Sequence, residues 1–223
     1  MAKKGSSSHI KRLDAPKYFA IHRKEHKYVI KQNPGRHTLM KSVALSLLVN
    51  KMELAGTRSE SNRIIGEGNI SVNGKQVREP KFPVGLNDVI SAAESTYMIG
   101  IDRKGHVQLE KMDKPKAQVY KVIGKYMSKG KQIMLRLHDG KSIKGSADAK
   151  VNDSVMLSNG GISKVMKLGI GSRCEVIDGV HVGTIGTIKG ISEGNMHKQK
   201  SVSVEPQSGE QFETLVKNII IVE

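Results

Sequence analysis

Tryptophan is absent from this chain of 223 residues, and only three Phe and five Tyr are present. Hydrophobic residues reach 37%, below the roughly 45–50% apolar share of an ordinary globular domain. That argues against one large core and for several small ones held by a partner. A single cysteine, Cys174, rules out an internal disulfide framework and fits a reducing compartment. No apolar run approaches the ~18 residues that a membrane span requires, so no membrane role is expected. The opening residues carry no apolar signal stretch, which points away from secretion.

Acidic residues are also scarce. There are 21 Asp and Glu against 37 Lys and Arg, a net charge of +16. A soluble chain this basic usually meets a polyanion. The charge is uneven: +9 over residues 1–41, zero over 42–100, +7 over 101–160 and zero over 161–223. This mosaic suggests a chain laid over an anionic surface more than a globule with one basic groove.

Residues 1–41 open with Met1-Ala2-Lys3-Lys4-Gly5-Ser6-Ser7-Ser8 and are broken by Pro16 and Pro34-Gly35. Their few apolar residues follow no helical period, so the segment reads as an arm that orders only on binding. Lys3, Lys4, Lys11, Arg12, Lys17, Arg23, Lys24 and Arg36 are its candidate phosphate contacts, and Tyr18, Phe19 and Tyr28 can stack on bases or plug a groove. Residues 42–55 read as a buried helix. Thr57-Arg58-Ser59-Glu60 has the form of a capping box that opens a second, short helix to about Ile65. Asn73-Gly74, between Ile70-Ser71-Val72 and Gln76-Val77, is a strong hairpin signal. Pro83 to Ile90 reads as a turn and then a strand. From about residue 97 the chain is mostly β, with candidate strands at 97–101, 106–110, 118–123, 132–137, 141–144, 154–157, 162–166, 173–177, 184–191, 201–205 and 218–222. Short strands so evenly spaced suggest small barrels.

Signals of enzymatic chemistry are weak. His22 and His26 stand four apart without a Glu beside the first or an evident third ligand, so no metal site is expected. Cys174 lies in a predicted strand with no activating partner and reads as a buried structural thiol. Gly183-Thr184-Ile185-Gly186-Thr187 lies between β-like segments with no helix opening after it, unlike a nucleotide loop. No catalytic residue and no cofactor is expected. Over 57–90, by contrast, Arg58 and Asn62 share a helix face at i, i+4, beside a hairpin that carries Lys75. Such a helix and turn can grip a nucleic-acid backbone, although the zero net charge of 42–100 also allows a solvated surface.

The stretch Arg58 to Lys75 resembles the S-four RNA-binding domain in Thr57-Arg58, Ser61-Asn62, Ile64-Ile65, Gly68, Ile70, Val72 and Asn73-Gly74-Lys75. The second arginine of that pattern falls on Asn62, with Arg63 adjacent. Gly5 to Phe19, with His9-Ile10-Lys11-Arg12-Leu13 and Ala15-Pro16-Lys17, is similar to the opening of the archaeal and eukaryotic small-subunit ribosomal protein family S-four-e, with Phe19 where the family usually has Trp. Pro83-Val84-Gly85-Leu86 with Asp88-Val89-Ile90, then Leu137-His138-Asp139-Gly140-Lys141 with Ile143, match its next signatures. Gly179, His181, Gly183 and Gly186-Thr187-Ile188 resemble its KOW motif.

The resemblance implies a multi-domain α+β protein. Its expected parts are a basic arm (1–41), a small α/β S-four-like domain (42–100), a β-barrel-like central domain (101–167) and an SH3-like KOW barrel (168–223). It implies a cytoplasmic, monomeric constituent of the small ribosomal subunit, with ribosomal RNA and neighbouring ribosomal proteins as partners. Arg58, Asn62, Arg63 and Lys75, then Lys129, Lys131, Arg136 and Lys141, then Gly183 and Gly186, complete the expected RNA contacts. A KOW-bearing transcription or RNA-processing factor is the alternative. An RNA-modifying enzyme with an S-four domain is a third reading, disfavoured because the β-rich modules are small and carry no acid–base pair.

Overall fold

Short, irregular pieces open the chain. In the computed structural model, which describes residues 9–92, 95–112, 118–145, 148–158, 161–207 and 209–222, β1 (Ile10–Lys11) pairs antiparallel with β2 (Tyr28–Val29). Between them lie two 3-10 turns, Arg12–Asp14 and Lys17–Phe19, and the second, which follows Pro16, buries Tyr18 and Phe19. The chain divides into two units, Met1–Gly100 with His106–Pro115, and Ile101–Gly105 with Lys116–Glu223.

In the first unit β3 (Ser42–Ala44) leads into α1 (Leu45–Lys51), followed by α2 (Arg58–Glu67), β4 (Ile70–Val72), β5 (Lys75–Gln76), β6 (Pro83–Gly85), β7 (Val89–Ala92), β8 (Ser95–Ile101) and β9 (Val107–Met112). The expected helix over 42–55 is shorter than its apolar run. Its first three residues extend instead, because β6 offers Ser42, Val43 and Ala44 a ladder. The first free amides of α1 then find carbonyls in the segment just before β6, Leu45 on Phe82 and Ser46 on Pro80, at 3.0 Å each. The capping box of α2 is complete: Thr57 Oγ1 accepts from the Glu60 amide and the Glu60 carboxylate accepts from the Thr57 amide. The β4–β5 hairpin turns at Asn73 and Gly74, both at positive φ, as an Asn-Gly turn requires. The sheet runs β5-β4-β7-β8-β9.

The arm is not the free segment its composition suggests. Phe19 is fully buried and Ala15 and Tyr18 nearly so. The Gln32 amide donates to the carbonyls of Ser42 (2.9 Å) and Leu39 (3.0 Å), and the Asn33 amide to the carbonyl of Lys81. Residues 9–41 therefore belong to the first unit. Their burial rests on one 3-10 turn and a few polar anchors, which leave no periodicity in the sequence.

The second unit holds two antiparallel sheets. One is ordered β12-β11-β10-β13-β14 and built from β10 (Gln118–Ser128), β11 (Gln132–Leu137), β12 (Ser142–Lys144), β13 (Ser154–Ser158) and β14 (Gly161–Met166). Tyr120, Val122, Leu135, Leu137, Ala149 and Val155 form its core. The other follows as β15 (Arg173–Val176), β16 (Ile185–Ser192), β17 (Ser201–Pro206), β18 (Phe212–Leu215) and β19 (Ile219–Ile221), ordered β18-β17-β16-β15-β19. Cys174, Val176, Ile188, Val202, Val204, Val216 and Ile219 form its core. Burial pushes the Cys174 thiol up to about 11, as suits an unreactive structural thiol. Lys121, on β10, is buried and donates from Nζ to the carbonyls of Val216 and Ile219 (2.9 Å to the latter). The Ser154 hydroxyl accepts from the Ile221 amide.

All the strands expected from residue 97 onward are present, with bounds shifted by at most two residues except in β10, which runs to Ser128 where the expected strand ended at 123. Strand β18 lies in a stretch read as loop, and Pro83–Gly85 is a strand rather than a turn.

Because Phe19 fills the first unit's core, Phe19→Ala is expected to destabilise the protein by about 3–5 kcal/mol, measured by urea unfolding. Limited proteolysis of the free wild-type protein is expected to spare residues 15–41.

Candidate nucleic-acid interface

Asp88 closes the loop between β6 and β7 with a side chain wholly shut off from solvent. Its Oδ1 accepts from Asn73 Nδ2 (2.6 Å) and Arg36 (3.3 Å), and its Oδ2 accepts from His37 Nε2 (2.8 Å) and the Gly85 amide (3.0 Å). Burial alone would raise its carboxyl. The His37 hydrogen bond and charge, the Arg36 charge and the Gly85 amide outweigh burial and hold it below its ordinary value. The Val89 amide donates to Asn73 Oδ1 at 2.9 Å. One carboxylate thus ties the arm, the hairpin turn and β7 together, and so fixes where Lys75, the residue after that turn, meets solvent.

Beside this cluster lies a cleft of about 520 Å³, lined by Lys31 to Leu39 and by Lys81. Its charged lining residues are Lys31, Arg36 and Lys81, and no carboxylate lines it. The cleft suits a phosphate. The even charge of 42–100 hid it, since its wall comes from the arm and only Lys81 from that module.

The candidate contacts divide into two sets. Exposed are Lys11, Lys17, Arg23, Lys24, Arg58, Arg63, Lys75, Lys129, Lys131 and Arg136. Of these, Arg63 shares an open i, i+4 pair with Glu67, too solvated to hold it from a phosphate.

The others serve the fold. Arg12 binds Glu25 at 2.8 Å and the carbonyl of His22, bracing the arm. Arg36 is spent partly on Asp88. Asn62 is half-buried and its Oδ1 accepts from Ser46 Oγ at 3.2 Å, joining α2 to α1. Lys141 is held between buried Asp139 (3.5 Å) and the Tyr120 ring (5.4 Å). Lys3 and Lys4 lie outside the described residues.

The two glycines have internal reasons. A Cβ on Gly186 would stand 2.4 Å from the Glu205 carbonyl oxygen, and one on Gly183, at φ +73°, 2.9 Å from the Arg103 amide nitrogen. Gly186 is buried, so it is removed from the expected RNA contacts; its role is close packing of β16 on β17.

A small α/β module and two β-sheets, with cations displayed on turns and an arm, make the arrangement of a nucleic-acid-binding protein. Family models match along the chain: the RS4NT domain over 4–40, the S4 domain over 45–90 and Ribosomal family S4e (S-four-e) over 93–161. Small ribosomal subunit protein eS4 of Methanocaldococcus jannaschii is 33% identical over 236 aligned positions, covering 100% of this chain and 96% of the relative. The protein of that name from Methanococcus maripaludis strain C5 is 34% identical with the same coverage. The crystal structure of the 30S ribosomal protein S4e from Thermoplasma acidophilum superposes with a TM-score of 0.69 at 29% identity, covering 82% of this chain and 95% of that one. The chain belongs to the S4e family of ribosomal proteins.

Removing the Asp88 carboxylate leaves Arg36 and His37 without their shared partner, so Asp88→Ala is expected to cost about 3–5 kcal/mol. The native carboxyl sits below its unfolded value, so its contribution is present above the carboxylate range and lost as pH falls through it. Thermal melts of wild type and Asp88→Asn are therefore expected to differ most near neutral pH and to converge in acid.

Proposed function

We propose that this chain is a structural constituent of the small ribosomal subunit, which binds ribosomal RNA and supports subunit assembly and translation. The observation that carries this reading is end-to-end similarity to proteins named small ribosomal subunit protein eS4. Its place of work is then the ribosome, in the cytoplasm, with ribosomal RNA and adjoining ribosomal proteins as partners and a single copy per subunit. No helix among the described residues is long and apolar enough to cross a membrane.

The mechanism is phosphate neutralisation and shape recognition. Lys3, Lys4, Lys11, Lys17, Arg23 and Lys24 are assigned to one contact region, with Arg58, Arg63 and Lys75 as a second and Lys129, Lys131 and Arg136 as a third. We assign 101–167 to a barrel-like central domain and 168–223 to an SH3-like KOW domain. Gly183, half-buried against residues 102–103, keeps at most a backbone contact. The 1–41 and 42–100 divisions are one folding unit in this reading, with the arm as its basic flank. A KOW-bearing transcription or RNA-processing factor would instead fail to sediment with small subunits in high salt. RNA sequencing of the sedimenting fraction separates the two.

If about six to ten phosphates are neutralised, affinity for small-subunit RNA is expected to fall roughly 10³–10⁵-fold between 50 and 200 mM salt. Arg58→Ala and Lys75→Ala each remove an exposed cation, and each is expected to lower the log–log salt slope by about one without moving the thermal midpoint. Filter binding across a salt series measures both.

A further inference from the structure

Strand β10 carries a bulge between Val122 and Gly124, where Ile123 has no opposite residue on β11. Before the bulge, Val122 pairs with Leu137, and both face the core. Without it, Gly124 and Tyr126 would face the core as well. The extra residue reverses the alternation, so Gly124 pairs with Arg136 and Tyr126 with Met134 on the opposite, solvent-facing side. Residues paired across the next strand share that face: Ser142 opposite Arg136 and Lys144 opposite Met134.

The face has the makings of a stacking surface. Tyr126 is 47% exposed, unusual for an aromatic in a chain with so few. Arg136 and Lys144 are exposed beside it. A Cβ on Gly124 would lie 3.5 Å from an Arg136 terminal nitrogen and 3.6 Å from its Nε. The guanidinium therefore rests over bare backbone, next to the tyrosine on the same strand face. No carboxylate occurs from Gly124 to Ser128, on β11 or on β12. Among the described residues no side-chain hydrogen bond or ion pair engages Tyr126, Arg136 or Lys144. The adjoining turn carries exposed Lys129 and Lys131.

We propose that the solvent face of β10–β12 is a platform on which an unpaired RNA base stacks against Tyr126, with Arg136 and Lys144 holding the flanking phosphates. Charge selects this occupant: two cations and a ring with no compensating anion fit a nucleotide, which brings both a π-face and a negative charge. Paired RNA buries its base faces in the helix, so the platform selects single-stranded or extruded nucleotides. The proposal rests on the RNA-binding reading above and adds the chemical class this face takes.

The test uses the full-length protein and three probes in fluorescence anisotropy: a labelled short oligoadenylate, an RNA duplex of equal length, and small-subunit ribosomal RNA. Tyr126→Ala is expected to weaken oligoadenylate binding at least about fivefold, while Tyr126→Phe binds like wild type. The salt slope of Tyr126→Ala is expected to stay unchanged, and that of Lys144→Ala to fall by about one. Duplex binding should be equal in wild type and Tyr126→Ala. Circular dichroism melts verify folding, and Tyr126→Phe keeps the ring should the alanine variant unfold.

Equal oligoadenylate affinity in wild type and folded Tyr126→Ala overturns the platform. Wild type that binds ribosomal RNA but not oligoadenylate overturns it too, and leaves the ribosomal reading standing. Wild type that binds no RNA at all overturns both. Unchanged RNA affinity with exclusion of Tyr126→Ala from reconstituted subunits assigns the face to a neighbouring protein and overturns the stacking.

Discussion

Much of the first unit depends on a single buried charge. Asp88 cannot be ionised inside the protein unless donors replace its lost water, and it gathers them from the arm (Arg36, His37), the hairpin turn (Asn73) and its own loop (Gly85). A buried ion pair is weak evidence of net stability. Its effect here is geometric. Each donor satisfies the carboxylate in only one arrangement, so segments far apart in sequence are set in register with one another. The basic arm is fastened to the S4-like module by the same group that positions the Asn73–Gly74 turn. Two of the surfaces assigned to RNA are therefore placed together.

The sequence was most legible where structure is local. The Asn-Gly turn, the Thr57–Glu60 capping box and the short alternating strands each rest on residues a few positions apart, and all are present. It was least legible where a distant partner decides. Val43 and Ala44 belong to an apolar run that favours helix, yet β6 pairs with them as a strand. Phe19 shows no periodic companions, because the 3-10 turn that buries it lies against β3, a strand distant in sequence. In both cases tertiary contact overrides propensity.

The candidate site followed the same division. Counting lysines and arginines located the basic regions but not which cations are free to meet a polyanion. Arg12, Arg36 and Lys141 have carboxylate partners inside the fold, and Lys121 caps carbonyls. Asn62, where the motif has an arginine, makes a helix–helix contact with Ser46. The β10 bulge is a matter of one unpaired residue, so sequence alternation gave no hint that Tyr126 faces outward.

Lys121 ties the two sheets of the second unit together. Its ammonium is buried, and it reaches from β10 to the carbonyls of Val216 and Ile219 at the end of the second sheet. The Ser154–Ile221 and Asp153–Leu168 hydrogen bonds fasten the same seam. Strand β10 is therefore anchored through its first half, where it pairs with β13, while its second half runs out past the bulge with β11 as partner. A hairpin that projects from such a base gives up little conformational freedom on binding, since its foot is already fixed. Cations at its tip can then contribute to affinity without the ordering cost that a free basic tail would bear. On the RNA-binding assignment proposed for this strand, the neutral C-terminal sheet serves binding indirectly, by anchoring the strand that carries the charge.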